Sequence, residues 1–402
     1  MKILFVDDEQ KVLDGIKRTL RNKRHDWEMT FESDPNMALK NISQQDYDFI
    51  VTDLRMPGLT GSQLLKKVTE ISPHSTRIVL SGDAELDRVV QTVGTAHQFI
   101  AKPCELNAIQ FAIERTARIK NLLKNENLAR LVGGVNELPS LPTVYNELVS
   151  ALSSDKTSVE EIGDIISQDV GLSTKVLKTV NSAFFGLSEK VSNPTDATVY
   201  LGLDVIRGIV LANSTLTQLK PNTEAGWHEQ FVEENLFISQ MTKAVAKQLE
   251  GKSTVLVEEA FQAGLLHDIG RLLIATKLPE EFKQIEQLVE QQSLSLIEAE
   301  QKILQVDHAL LGAYLLTLWG FNDSVIEAVL YHHQPEQSLI DKISPLSILI
   351  LTLFAYEKAL DQDSILDSDP ENVLLNSHHW NHHIEDVLEL INKRVEKRQQ
   401  NG

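Results

Sequence analysis

The chain has 402 residues, 42% of them hydrophobic and 24% charged, which is enough for two globular domains with separate cores. Its 38 basic and 57 acidic side chains leave a formal net charge of −19, and no basic stretch stands out. So acidic a surface repels a phosphate backbone, which argues against nucleic acid as a partner and against a DNA-binding transcription factor.

The first segment, MKILFVDDEQ, carries one lysine and a short apolar run before its acids, unlike a signal peptide. Over residues 1–120, short β-branched runs alternate with helical stretches, the signal of an α/β domain around a parallel sheet. Strands are predicted at 2–6, 28–32, 49–52, 77–80 and 98–100. Between the first two, Val12, Ile16 and Leu20 recur at helical spacing over 12–21. The single cysteine, Cys104, excludes an internal disulfide and suits a reducing compartment, so a soluble cytoplasmic protein is expected.

From 105 to 131 the pattern is helical, with Ile109, Ile113, Thr116, Ile119 and Leu123 stepping by threes and fours. Its first half is expected to pack on the sheet and its second half to project as a connecting helix over 105–135. That second half offers either a homodimer seam or a surface for the next domain. Gly133-Gly134 breaks it, and Leu138-Pro139-Ser140-Leu141-Pro142 opens a second domain. Beyond Pro142 only helical patterns follow, ending in a helix over 384–397. The strongly apolar stretch 346–356 is too short to span a bilayer as a helix, so no membrane partner is expected.

Chemistry in the first domain follows from where its polar residues fall. Functional groups in an open parallel sheet gather at the carboxyl ends of strands. Asp7 and Asp8 end the first strand, Asp53 the third, Ser81 the fourth and Lys102 the fifth, so all converge on one rim. Clustered carboxylates suit a hard divalent cation such as Mg²⁺, which lets an anionic phosphoryl donor approach an anionic nucleophile. Lys102 and the Ser81 hydroxyl would meet phosphoryl oxygens, and Asp53 would be the nucleophile. With VDDE, VTDLRMPG, VLSG and AKP in order, residues 1–120 resemble the receiver domain of two-component response regulators. The resemblance implies a flavodoxin-like fold with strand order 2-1-3-4-5 and phosphorylation of Asp53 by a histidine kinase or phosphotransfer protein. It further implies Asp8 as a direct Mg²⁺ ligand, Asp7 as a ligand through water, the Arg55 carbonyl as a third protein ligand, and Phe99 as the aromatic switch.

In the second domain an adjacent His267-Asp268 can put a ring nitrogen and a carboxylate oxygen on one metal, and His308, His332 and His333 follow. A metal-dependent phosphohydrolase is one reading of these residues; buried histidines bonded to their neighbours are the other. The strings LPSLPTVYNEL, IISQDVGLSTKVLKTVNSAFFG, YLG, AFQAGLLHDIG and YHHQP resemble the HDOD output domain, an all-α relative of the HD phosphohydrolases, over about residues 136–336. Compared with catalytic relatives of the HD-GYP type, the first ligand histidine falls at Asn235 or Glu234 on a helix over 232–248. The lysine after His-Asp-Ile-Gly is Arg271, the late aspartate is Ala355, and the Gly-Tyr-Pro segment is absent. His228 lies too early on its helix to substitute.

A noncatalytic HDOD domain with no catalytic residue is therefore expected, holding a partial metal set or none. It would act on a partner protein such as an enzyme of cyclic-dinucleotide signalling; the alternative is a phosphorylation-controlled metallophosphodiesterase. The expected layout is a receiver over 1–120, HDOD over 136–340 and a helical extension over 341–402. His378, His379, His382 and His383 could pair at i,i+4 on a metal, but read better as a polar surface helix. Asn181-Ser182 and Leu201-Gly202 read as turn and packing elements.

Overall fold

The computed structural model describes residues 1–82, 96–102, 106–122, 151, 157–158, 161–163, 165, 227–250, 253–318, 322–334, 342–360 and 383–401. They fall into two units, an α/β domain and a helical domain.

The α/β domain holds a five-stranded parallel sheet in the order β2-β1-β3-β4-β5, as the receiver resemblance implies. Its strands are β1 (Lys2–Val6), β2 (Glu28–Glu32), β3 (Phe49–Asp53), β4 (Thr76–Gly82) and β5 (Gln98–Lys102). The last three run one or two residues further than the apolar runs suggested, so Asp53, Ser81 and Lys102 lie within strands. Alternation sorts the side chains onto two faces. Leu4, Val6, Ile50 and Val79 meet Ala38 and Ile42 of α2 (Pro35–Gln44) and Leu64, Leu65 and Val68 of α3 (Gly61–Ile71). Ile3, Phe5, Phe49, Val51, Ile78 and Leu80 meet Leu13 and Ile16 of α1 (Gln10–Thr19) and Ile109 and Ile113 of α4 (Leu106–Leu122). Each buried Val, Leu, Ile or Phe among them contributes about 1.5–3 kcal/mol. Register is fixed because a one-residue slip would swap the two faces.

Local signals set the helix starts. Asp34 caps α2, accepting from the Asn36 N–H at 2.8 Å, with Pro35 at the first helical position. Thr60 and Gln63 form a reciprocal capping box at α3. The predicted connecting segment beyond Leu122, the Gly133-Gly134 break and Cys104 lie outside the described residues.

In the helical domain the described elements are α5 (Trp227–Glu250), α6 (Thr254–Leu266), α7 (Ile269–Lys277), α8 (Pro279–Gln292), α9 (Leu296–Leu304), α10 (His308–Leu318), α11 (Asp323–Tyr331), α12 (Pro345–Leu360) and α13 (Ile384–Asn401). The apolar run at 346–356 is the middle of α12, buried on every side, which is why it carries no polar face. No helix among the described residues is long and apolar enough to cross a membrane. The final helix packs Val387, Ile391 and Val395 into the same core as Phe237, Ile238 and Met241 of α5 and Leu349 and Leu353 of α12. Of the four late histidines only His383 is described, just before α13, its carbonyl accepting from the Val387 N–H at 3.0 Å. Asn181-Ser182 and Leu201-Gly202 are outside the described residues.

Candidate functional sites

On the receiver rim, the pairing Val6↔Thr52 sets Asp7 and Asp53 side by side at the ends of adjacent strands. Asp53 pairs with Leu80, Ser81 with Ala101 and Gly82 with Lys102, so the backbone carries Asp53, Ser81 and Lys102 across three consecutive strand ends. Phe99 is on β5, paired with Val79. The Asp53 carboxylate is buried, and its Oδ2 accepts the Arg55 N–H at 2.7 Å. Asp7 is buried too and accepts the Glu9 N–H at 2.9 Å, whereas Asp8 is exposed. Two buried carboxylates beside an exposed one fit a hard cation reached from solvent.

Gly61 lets this rim close. A Cβ on it would lie 2.0 Å from the Asp53 carbonyl oxygen, so α3 starts directly against the end of β3.

The second site lies where α6 gives way to α7. His267 ends α6 and Asp268 precedes α7. Asp268, His308, His332 and His333 each offer one ligand atom, all within 4.8 Å of one another. The structure thus gathers four of the five predicted residues into one group, with His267 Nε2 alongside, 3.7 Å from Asp268 Oδ1. Gly270 makes the approach possible: a Cβ there would sit 2.0 Å from the His308 carbonyl oxygen.

Ring orientation is imposed from outside the group. His267 Nδ1 donates to the Gly264 carbonyl at 2.9 Å and His332 Nδ1 to the Val329 carbonyl at 2.7 Å. A carbonyl only accepts, so Nδ1 holds the proton of the neutral ring and Nε2 carries the lone pair. His308 Nδ1 meets Glu300 Oε2 at 2.8 Å, and the same oxygen accepts the His308 backbone N–H at 2.8 Å. A carboxylate or carbonyl behind the ring is the arrangement that orients imidazole ligands.

Glu300 escaped the sequence reading. Its one signal was position: it shares the buried face of α9 with Ile297 and Leu304, where an acid is out of place.

Electrostatics follow the geometry. Burial lowers His267 to about 4, against the pull of the Asp268 charge. Burial also opposes protonation of His308, but the Glu300 and Asp268 carboxylates outweigh it and raise His308 to about 10. For Asp268, burial is overcome by the neighbouring imidazoles, which hold it well below the ordinary carboxylate value. His333 is held well below an ordinary histidine by burial and by the rings of His332 and His308.

The signs predict a stability profile for the metal-stripped protein. Below the unfolded value of 6.5, unfolded His267 takes up a proton that the folded site refuses, so stability falls as pH drops toward 4. His308 contributes in full below 6.5 and loses its contribution as pH rises toward 10. Urea midpoints in chelator should therefore peak near neutrality; a level profile from about pH 5 to 9 would contradict the assignment.

At the positions where a two-metal site would have further ligands, the described residues depart from the catalytic pattern. Asn235 is buried on α5, and its Nδ2 donates to the Phe231 carbonyl at 2.9 Å. Ala355 is buried on α12 and has no donor atom. Arg271 Nη1 donates to Asp268 Oδ2 at 3.0 Å. Half-buried Glu234 is raised by burial and by the Asp268 charge. His228 is on α5, which begins at Trp227. Asp268, His308, His332 and His333 by themselves are donors enough for one cation.

Comparisons with known proteins match the two units separately. A solved structure of an HDOD domain protein of unknown function from Geobacter sulfurreducens is similar at 20% identity, covering 71% of this chain and 94% of that one with a TM-score of 0.52, a likeness of fold. An uncharacterized protein of Treponema pallidum is 24% identical over 208 residues, 51% of this chain and 39% of that protein. An uncharacterized transcriptional regulatory protein, YesN, of Bacillus subtilis is 27% identical over 201 residues, 41% of this chain and 53% of that protein. The chain thus matches about half or less of the length of these two relatives. Residues 3–114 match the model of the response regulator receiver domain, and residues 138–335 match that of the HDOD domain. The chain joins a response regulator receiver domain to an HDOD domain.

Proposed function

We propose that this chain is a phosphorylation-controlled regulator: its receiver takes a phosphoryl group on Asp53 from a histidine kinase or phosphotransfer protein, and its HDOD domain then changes its hold on a partner protein. The observation that carries the reading is the buried Asp53 carboxylate at the end of β3, beside Asp7 and in line with the strand-end positions of Ser81 and Lys102. Asp8, Asp53 and the Arg55 carbonyl would hold Mg²⁺ directly and Asp7 through water. When bound, the ion would offset the repulsion between the Asp53 carboxylate and an anionic phosphodonor. Ser81 and Lys102 would meet the phosphoryl oxygens, and Phe99 would report the change. Phosphorylation adds about 1.5 to 2 negative charges, enough to bias a two-state surface beside β4 and β5.

On the output side, Asn235 and Ala355 leave the HD residues short of a bimetallic hydrolytic set, which supports a binding role over a catalytic one. The acidic chain favours a protein as the partner, and an enzyme that makes or breaks cyclic dinucleotides is the form this reading takes. The layout adopted is a receiver over 1–120, an output domain over 136–340 and a helical extension beyond.

The test is incubation with acetyl phosphate and Mg²⁺. Stoichiometric, acid-stable but base-labile label is expected on the wild type and none on Asp53→Ala; normal labelling of that variant would refute the assignment. One observation favours the second reading, a metallophosphodiesterase: four metal-ligating groups converge within 4.8 Å. Turnover of a cyclic dinucleotide that disappears in His267→Ala/Asp268→Ala would establish it.

A further inference from the structure

His332 Nε2 is buried and has no hydrogen-bond partner among the described residues. Its other nitrogen is committed to the Val329 carbonyl, so in the neutral ring Nε2 presents a lone pair, 3.7 Å from Asp268 Oδ1. His267 Nε2 points its lone pair at the same oxygen from 3.7 Å. His308 Nε2 and His333 Nε2 stand 3.1 Å apart, with His308 Nε2 also 3.1 Å from Asp268 Oδ1. Buried acceptors facing an anion with too few protons between them are costly, and a cation among them removes the cost. Three imidazole nitrogens and one carboxylate oxygen form a donor set for a borderline transition-metal ion such as Zn²⁺ or Co²⁺.

Asp268 has two oxygens, and they have different partners. Oδ1 belongs to the histidine group. Oδ2 is held by the Arg271 guanidinium at 3.0 Å. Arg271 is fixed one helical turn further along α7, so the pair is local and the positive charge stays beside the carboxylate.

We propose that Arg271 takes the place of a second cation: Asp268 bridges one transition-metal ion, bound with His308, His332 and His333, and one guanidinium. The output domain is then a one-metal, one-arginine site, with metal occupancy as an input separate from phosphorylation. The arginine competes for the carboxylate's charge and moderates affinity for the metal. Without it, the metal-free carboxylate would be undercompensated and the ion would gain the whole of its charge.

The test uses the full chain, stripped with chelator and titrated with Co²⁺ in excess Mg²⁺, which saturates oxygen-only sites such as the receiver's. One strongly absorbing, low-coordinate Co²⁺ per chain is expected. In His332→Gln that absorbance should be lost while far-UV circular dichroism is unchanged. Arg271→Met should keep one ion per chain, bind it about tenfold more tightly, and show a larger gain in melting temperature on metal addition. No absorbing ion, two such ions per chain, or absorbance surviving in His332→Gln would overturn the site. Unchanged or weaker Co²⁺ affinity in Arg271→Met would overturn the role given to the arginine. None of these readouts depends on Asp53 labelling, so this inference and the phosphoacceptor reading can fail separately.

Discussion

Replacing Gly270 with alanine is expected to dismantle the HDOD site and to destabilise the helical domain by about 3–5 kcal/mol. The new Cβ would lie 2.0 Å from the His308 carbonyl oxygen, 2.7 Å from its carbonyl carbon and 2.9 Å from its Cα. All three are backbone atoms at the start of α10, so no rotamer relieves the overlap and the helix must shift. His308 would then be pulled away from Glu300, now 2.8 Å distant, and Asp268, now 3.1 Å distant. Buried charges that lose their partners account for most of the cost. Gly15→Ala is the control: nothing lies within 4 Å of that Cβ, and the residue is inside α1, where alanine is the better helix former by about 0.5–1 kcal/mol. Urea unfolding of both variants checks the contrast. Equal midpoints for Gly270→Ala and the wild type would mean that α10 is not held against α7.

How much of this was legible in the sequence depended on whether the signal was local. The sheet was readable because strands buried on both faces are apolar runs of fixed length, and because rim residues follow those runs directly. Their exact ends were less readable: Asp53, Ser81 and Lys102 are polar, and only ladder pairing shows that they continue the strands. In the second domain the His-Asp pair and the later histidines stood out as residue types. Glu300 did not, since a single acid in α9 resembles any charged residue of a surface helix until its face is known. Nor did the reason for Gly270, which lies in a helix 38 positions before the backbone it must clear. The apolar stretch at 346–356 reads as too short to span a bilayer as a helix, but its burial on all sides needs α5, α6 and α13 around it.

Gly61→Ala is expected to slow phosphoryl acceptance by Asp53 at least tenfold while costing about 1–3 kcal/mol of stability. Its Cβ would fall 2.0 Å from the Asp53 carbonyl oxygen and 3.0 Å from both the Asp53 carbonyl carbon and the Leu54 Cα. The Gly61 N–H already donates to the Leu54 carbonyl at 3.1 Å, so the contact is a backbone pairing with no slack. Either α3 lifts off or the end of β3 gives way, and in the second case the 2.7 Å bond from the Arg55 N–H to Asp53 Oδ2 is disturbed. An in-line transfer tolerates little displacement of its nucleophile, since a shift of about 1 Å can cost two orders of magnitude in rate. Thr60→Ala separates misplacement from simple loss of stability. It removes the capping side chain of α3 at a cost of about 1 kcal/mol without adding an atom beside Asp53. Labelling rates with acetyl phosphate should stay near wild type in Thr60→Ala and drop in Gly61→Ala at matched fraction folded. If both variants lose rate in proportion to stability alone, the close approach of α3 is packing with no part in placing the phosphoacceptor.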